Sequence, residues 1–494
     1  MLRRMLLGAV VLGGLLLTVL ALVRASRSAP EPLALISLSL VLVALVIAIG
    51  GLWVRRTESV LTIMLILLYL VPQNYVLVGP LRSVGNPAIL AGMFALVLWS
   101  SGRLLGLVTP EQDHPARWVV MLYVLGAATA MAAGMMRPLT HSESSGATRA
   151  LFPIAAVVGI ALLACDGLTR RRQVEVLIQR LVFIGAVAAL IGMAEFLLPG
   201  FNYRTLAHLP GLTTNTELIS DTRSGFQRVM GAAAHPIEYS VALAALAPLA
   251  LHLAHHAHTR TMRRLNLLAL VALVAVTPMT VSRSGVVCLA VGIAWYMVHL
   301  SARARLNVAV IGIIGLGVMR SAIPGLLGTI RSLLLIGDQD PSIRGRTIDY
   351  AKIPQLMEGH WAFGRGWGTF QPDQYFFLDN QYLGSLLEGG VVGLTIFLAV
   401  LIVGMGLARG ARKAATSASI RGLGQAMSAS IAALAVGAAT FDEASFRQTA
   451  FLLFLLVGCS GALWSIVRRD SIARAGARSV PAPSDVAQLS HAHA

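Results

Sequence analysis

Charged side chains are scarce: Asp, Glu, Lys and Arg make 12% of the 494 residues, against 56% hydrophobic. A water-soluble chain carries about twice that share of charge on its surface, so a set of soluble domains is excluded. Lysine is nearly missing, since 37 of the 39 basic residues are Arg. With abundant Ala, Gly and Val, that bias indicates a high-GC genome. Acidic residues number only 22, leaving a formal net charge of +17. The basic residues fall in short clusters between apolar runs, which fits membrane topology better than a nucleic-acid-binding face. Three cysteines, Cys165, Cys288 and Cys459, lie in or beside apolar runs without CxxC spacing. An odd count without that spacing indicates neither a disulfide framework nor a zinc site. The internal repeats that mark many secondary transporters are also missing.

What the chain has is long apolar runs, with a mean hydropathy of +0.75. The runs are about 17 to 22 residues long, enough to cross a bilayer core of about 30 Å. They predict an all-α, polytopic membrane protein of about fourteen transmembrane helices. The expected spans are approximately 5–23, 32–53, 59–79, 84–101, 117–135, 149–165, 177–198, 236–254, 265–281, 285–300, 306–323, 381–406, 422–440 and 448–467. The first follows Arg3 and Arg4 but ends without a convincing cleavage site, so it reads as a helix rather than a signal peptide. Basic clusters alternate across successive spans, placing both termini in the cytoplasm. Two long segments, 199–235 and 324–380, then lie on the outer side, and loops of that length are usually functional. Four regions follow: N-terminal helices over 1–180, a core over 181–406 with both outer loops, C-terminal helices over 407–469, and a disordered cytoplasmic tail over 470–494.

Four outer-side clusters hold chemistry-bearing residues. Arg223-Ser-Gly-Phe-Gln-Arg228-Val-Met-Gly231-Ala-Ala-Ala-His235-Pro236 enters the span at 236–254. Arg228 and His235 are seven apart, so a continuous helix would put them on one face, and Pro236 suits a first helical turn. The bland alternative is a basic anchor with a capping proline. Thr280-Val-Ser282-Arg283-Ser284-Gly285 places an Arg at the membrane boundary, facing either a polar cavity or lipid headgroups. Asp338-Gln-Asp340-Pro-Ser342-Ile-Arg344-Gly-Arg346-Thr-Ile-Asp349-Tyr350 reads as a helix start, and its charges could pair among themselves.

The fourth cluster runs from Gly364-Arg365-Gly366-Trp367-Gly368 through Asp379-Asn380-Gln381-Tyr382-Leu383 to Glu388-Gly389-Gly390-Val-Val-Gly393. Without a preceding strand or a Lys-Ser/Thr ending, the glycines form no nucleotide loop; they permit a tight turn. Gln381, Ser385 and Glu388 share one helix face. Fixed Arg cations suit a lipid-linked diphosphate, and a carboxylate such as Asp379 suits removal of a proton from a sugar hydroxyl. No cofactor or metal is called for. The histidines His252, His255, His256 and His258 fall on the cytoplasmic side and read as a solvated loop.

The ordered set Arg228-x-x-Gly231, Ser282-Arg283-Ser284-Gly285, the Gly-rich turn, Asp379-Asn380-x-Tyr382-Leu383 and Glu388-x-Gly390-x-x-Gly393 resembles the O-antigen ligase and O-antigen polymerase family, over roughly residues 180 to 405. The resemblance implies a metal-independent, inverting glycosyltransferase of the bacterial inner membrane, active in cell-envelope or exopolysaccharide biosynthesis. It would move a polyprenyl diphosphate-linked glycan to a glycan or glycolipid acceptor at the outer face. It also implies that Arg228 and Arg283 hold the diphosphate, with Arg346 a weaker match. Asp379 would be the base, with His235, Asn380 and Glu388 in support. The family's ligases carry His where this chain has Asp379, which favours a polymerase, or a ligase for an acceptor other than lipid A core. The spans carrying Arg228, Arg283 and Glu388 are expected to border one cavity. The competing readings are a transporter or flippase of lipid-linked glycans, and a scaffolding membrane protein.

Overall fold

The computed structural model describes residues 57–78, 85–104, 114–198, 200–206, 211–214, 222–223, 225–323 and 349–478, with residues 209, 325 and 328. The expected spans near 5–23 and 32–53, and Arg346, lie outside these residues. The long helices are α1 (Thr57–Leu70), α2 (Pro87–Leu104), α3 (Pro115–Met135), α4 (His141–Gly167), α5 (Arg171–Leu197), α6 (Pro236–His255), α7 (Arg260–Met279), α8 (Arg283–Met297), α9 (Ala302–Ala322), α10 (Gln381–Ala414), α11 (Ala418–Ala438) and α12 (Arg447–Arg478). Each of the later expected spans has one of them at its place. Nine of the described helices are long and apolar enough to cross a membrane, while α1 and α8 are shorter apolar helices. The described residues therefore support the all-α class but do not reach the expected count of fourteen. Four strands of two or three residues stay in the loops: β1 (Tyr75–Leu77) pairs antiparallel with β2 (Leu212–Thr214), and β3 (Thr222–Arg223) with β4 (Phe226–Gln227).

Local chemistry explains where the helices begin. Thr140 and Glu143 form a reciprocal capping box at α4, satisfying donors that a helix start leaves open. Pro236 occupies the first turn of α6, and the Nδ1 of His235 accepts from the Ile237 N–H at 3.2 Å. The Asn380 side chain caps α10 by accepting from the N–H groups of Tyr382 and Leu383. Between Arg228 and His235 the chain is not helical, so those residues do not share a helix face as a continuous helix would require. The helix α12 runs on to Arg478. The segment expected as a tail from residue 470 thus starts helical, and residues 479–494 lie outside the described set.

Of the apolar stretches of α6 and α12, 89% is buried, so these two helices form the axis. Around it, α4 packs on α2 and α12; α7, α8 and α11 pack on α6; α10 packs on α3, α11 and α12. Small residues permit the closest approaches, as expected where helices meet in lipid. A Cβ added to Gly92 of α2 would lie 2.6 Å from the Ala156 Cβ of α4. By contrast, α9 is exposed along its whole apolar stretch.

The two ends of the bundle differ in chemistry. One is basic: Arg103 and Arg117 both bind the buried Asp166, at 3.2 and 2.7 Å, and Arg170, Arg260, Arg303, Arg412 and Arg468 lie in its turns or helix ends. At the other end the connections meet. The Gln73 N–H donates to the Ala232 carbonyl at 2.8 Å, Arg137 Nε to the Arg365 carbonyl at 3.0 Å, and the Ala444 N–H to Gln381 Oε1 at 2.6 Å.

Candidate active site

A cavity of about 490 Å³ lies at this second end. Its walls come from α4, α10, α12, residues 367–372 and the short connection between α11 and α12. Three carboxyl groups line it: Glu388, Asp442 and Glu443. Aromatic faces of Tyr123, Trp367 and Phe370 make up much of the remainder, and Arg149 and Arg447 are its cations. Arg447 already spends a donor on the Gln73 carbonyl at 2.9 Å.

Glu388 sits where α10 is broken. Gly390 has φ 65° and ψ −163°, a conformation open essentially to glycine alone. The break leaves backbone groups without helical partners, and residues 361–366 supply them. Arg365 and Gly366 donate to the carbonyls of Leu387 and Glu388, at 2.8 and 3.1 Å, while Val391 and Val392 donate to those of Trp361 and Ala362, at 2.8 and 3.2 Å. The Gly-rich turn therefore closes a helix break, as irregular backbone at membrane depth requires. Glu388 Oε1 then accepts from the Phe370 N–H at 3.3 Å. A linked set holds this loop in place: Arg137 pairs with Glu143 at 2.7 Å, Tyr375 donates to Glu143 at 2.9 Å, and Arg365 donates to Tyr375 at 2.9 Å.

Asp442 and Glu443 lie outside the flanking helices, in the connection after α11. Burial and the charge of Asp379 push the Asp442 carboxyl up to about 6, against a hydrogen bond from Ser445 Oγ. Burial and the neighbouring Asp442 hold Glu443 well above the usual carboxylate range. Asp379 itself is half-buried and stands directly before the cap of α10.

The arginines form a separate corner. Arg228 is buried, and its Nε donates to the Thr280 carbonyl at 3.1 Å. Thr280 opens the tight turn between α7 and α8, and Arg283 is the first residue of α8. In that turn Val281 has φ 51°, a strained value for a β-branched residue. Two buried carboxylates fix the segment from Arg228 to His235. Glu195 accepts from the N–H groups of Met230 and Gly231, at 3.3 and 2.8 Å. Glu238 accepts from Ala234 and Gln448, at 2.8 and 2.7 Å. His235 lies with its ring 5.8 Å from that of Phe446. The connection 439–446 thus touches both the corner and the cavity.

Several sequence expectations change here. Arg228 and Arg283 do not line the cavity that Glu388 lines, because the α11–α12 connection stands between them. Gln381, Ser385 and Glu388 do share its wall. Asn380 and His235 act as helix caps. Sequence reasoning missed Asp442, Glu443 and Arg447, although two adjacent acids between apolar runs, in a chain with 22 acids, were a usable signal. It also missed Glu195 and Glu238, which sit within or beside apolar runs. Among the described residues no group of three or more His, Cys, Asp or Glu is placed to hold a metal ion. The histidines His252, His255 and His256 gather at the basic end.

A helical membrane bundle with a carboxyl-lined cavity beside an arginine corner is the architecture of a membrane-embedded enzyme acting on an anionic lipid-linked substrate. Residues 268–398 match the family model for O-antigen ligase, so the family resemblance seen in the motifs is borne out over that stretch. It includes Arg283, Arg346, Asp379, Asn380 and Glu388, and leaves out Arg228 and His235. No curated protein matches the chain.

Proposed function

We propose that this chain is a glycan transferase, a polymerase or ligase that takes its glycan from a polyprenyl diphosphate at the outer face of a bacterial inner membrane. The observation that carries the reading is the pairing of an arginine corner with a carboxyl-lined cavity at one end of the bundle, within and beside the matched stretch. The basic opposite end supports placing that end in the cytoplasm.

In this reading Arg228 and Arg283, with Arg346 from the intervening loop, hold the diphosphate in bidentate contacts. The acceptor hydroxyl oxygen attacks the anomeric carbon from the face opposite the diphosphate. The carbon–oxygen bond to phosphate breaks, and its electron pair leaves with the diphosphate, which the arginines stabilise. The hydroxyl proton passes to the Asp379–Asp442 carboxylate pair, and the anomeric configuration inverts. Asp379 is the base by its motif position, and Asp442 is its neighbour in the fold.

The break in α10 favours a second reading, because discontinuous helices also build the sites of transporters. Cells with Arg283→Ala or Asp379→Asn, at matched membrane expression, separate the two. A transferase leaves lipid-linked glycan accumulated on the outer leaflet and long surface polysaccharide gone. Lipid-linked glycan held on the cytoplasmic leaflet would establish the transporter instead.

A further inference from the structure

Glu443 is 1% exposed and lines the cavity, yet neither of its carboxyl oxygens has a hydrogen-bond partner among the described residues. A buried polar group left in that state costs about 1–3 kcal/mol, so the position calls for a ligand that supplies donors and acceptors together. The neighbours cannot serve: Gln381 is already engaged with Ser385 Oγ and the Ala444 N–H, and Asp442 with Ser445.

We propose that this cavity is the subsite for the hydroxyl-bearing end of the acceptor glycan, distinct from the arginine corner that takes the diphosphate. The inference rests on the transferase reading above and adds where the acceptor lies and what recognises it. Charge decides against a diphosphate here, since three carboxyl groups face the space and one of its two cations is committed to the Gln73 carbonyl. Sugar hydroxyls both donate and accept, which matches carboxyl groups in either protonation state. The apolar faces of sugar rings match Tyr123, Trp367 and Phe370. A volume of about 490 Å³ lies within the range of small-molecule sites. Asp442 is part of the wall, so a hydroxyl bound there meets the carboxylate pair that would take its proton.

Gly384 controls the remaining room. It is helical, and a Cβ there would meet Asp442 Oδ1, Gln381 Nε2 and Leu378 Cδ2 at 3.8 Å, an ordinary contact. Alanine therefore fits, whereas a leucine would project into the cavity.

The test uses the full chain purified in detergent, with quenching of tryptophan fluorescence as readout and Trp367→Phe as control. Two probes are titrated. One is the oligosaccharide released by mild acid from the host's own lipid-linked glycan; the other is the sugar portion released from its envelope glycolipid. One probe is expected to bind saturably. Glu443→Gln and Gly384→Leu should each weaken it by about tenfold or more, while Gly384→Ala and Arg228→Ala leave it in place. Saturation by neither probe overturns the proposal. So does a loss on Arg228→Ala as large as that on Gly384→Leu. Thermal unfolding of Gly384→Leu against Gly384→Ala shows whether the plug disturbs the fold. Should cells with Arg283→Ala keep normal surface polysaccharide, the transferase reading fails, and that result is independent of sugar binding.

Discussion

At the scale of single residues, Asp442 is the group whose environment most directly sets chemistry. Burial and Asp379 push its carboxyl up to about 6 from 3.8, and only the ionised form accepts a proton. Transfer by isolated membranes should therefore rise between pH 5 and 7 with a midpoint near 6. Asp442→Asn should remove that limb and lower the rate by about 10²- to 10⁴-fold, the usual contribution of a general base. The sign for stability is opposite. A carboxyl whose folded value lies above its unfolded one favours the fold when protonated, so its contribution is full below about 3.8 and lost above about 6. Asp442→Asn should accordingly raise the unfolding temperature at pH 8 and leave it unchanged at pH 3, as thermal melts in detergent would show. Glu195 works through geometry instead. Its two accepted N–H bonds hold the backbone just after Arg228, and Glu195→Ala would leave those donors buried without a partner. Capture of a polyprenyl diphosphate photoprobe should fall in Glu195→Ala and recover in part in Glu195→Gln, which keeps an acceptor oxygen.

The element that decides the site is α10 with the loop that closes its break. Gly390 carries φ 65°, and a Cβ there would run into the backbone of Ala362 and Gly364. Gly390→Ala should destabilise by at least about 1–3 kcal/mol, the cost of such backbone strain. Gly406 lies in the same helix with nothing around the added Cβ, so Gly406→Ala should be neutral or stabilising by about 0.5–1 kcal/mol. Melting temperatures of the two variants compare the break with ordinary helix. Near-equal melts would mean that α10 tolerates a straight path through Gly390. The break also explains why a glycine-rich turn that resembles a phosphate loop binds no phosphate: its N–H groups at Arg365 and Gly366 already go to helix carbonyls.

For the whole molecule, the decisive question is which end faces outward. The three native cysteines are buried, so a membrane-impermeant maleimide meets little background. In intact cells opened only at the outer membrane, Asp373→Cys should label and His258→Cys should not; both positions are exposed, at opposite ends of the bundle. The reverse pattern would put the cavity in the cytoplasm and remove the outer-face transferase reading. The exposed α9 belongs to this scale too, because an apolar helix without bundle neighbours meets lipid along its length.

Sequence alone determined what depends on local composition. Apolar runs long enough to span a bilayer gave the helices from Thr57 onward, since no other element satisfies the backbone in hydrocarbon. Turn and capping residues such as Thr140, Pro236 and Asn380 located the starts of their helices. Short ordered motifs pointed to the family later matched over residues 268–398. Tertiary structure alone decided which side chains share a space. Asp442 and Glu443 are some fifty-five residues from Glu388 in the chain, and nothing in their spacing says that α11 and α12 deliver them to the same cavity. Nor could spacing show that the same connection separates Arg228 and Arg283 from Glu388. Helical period fixes which face a residue takes on its own helix, whereas the partner of that face depends on how distant helices pack.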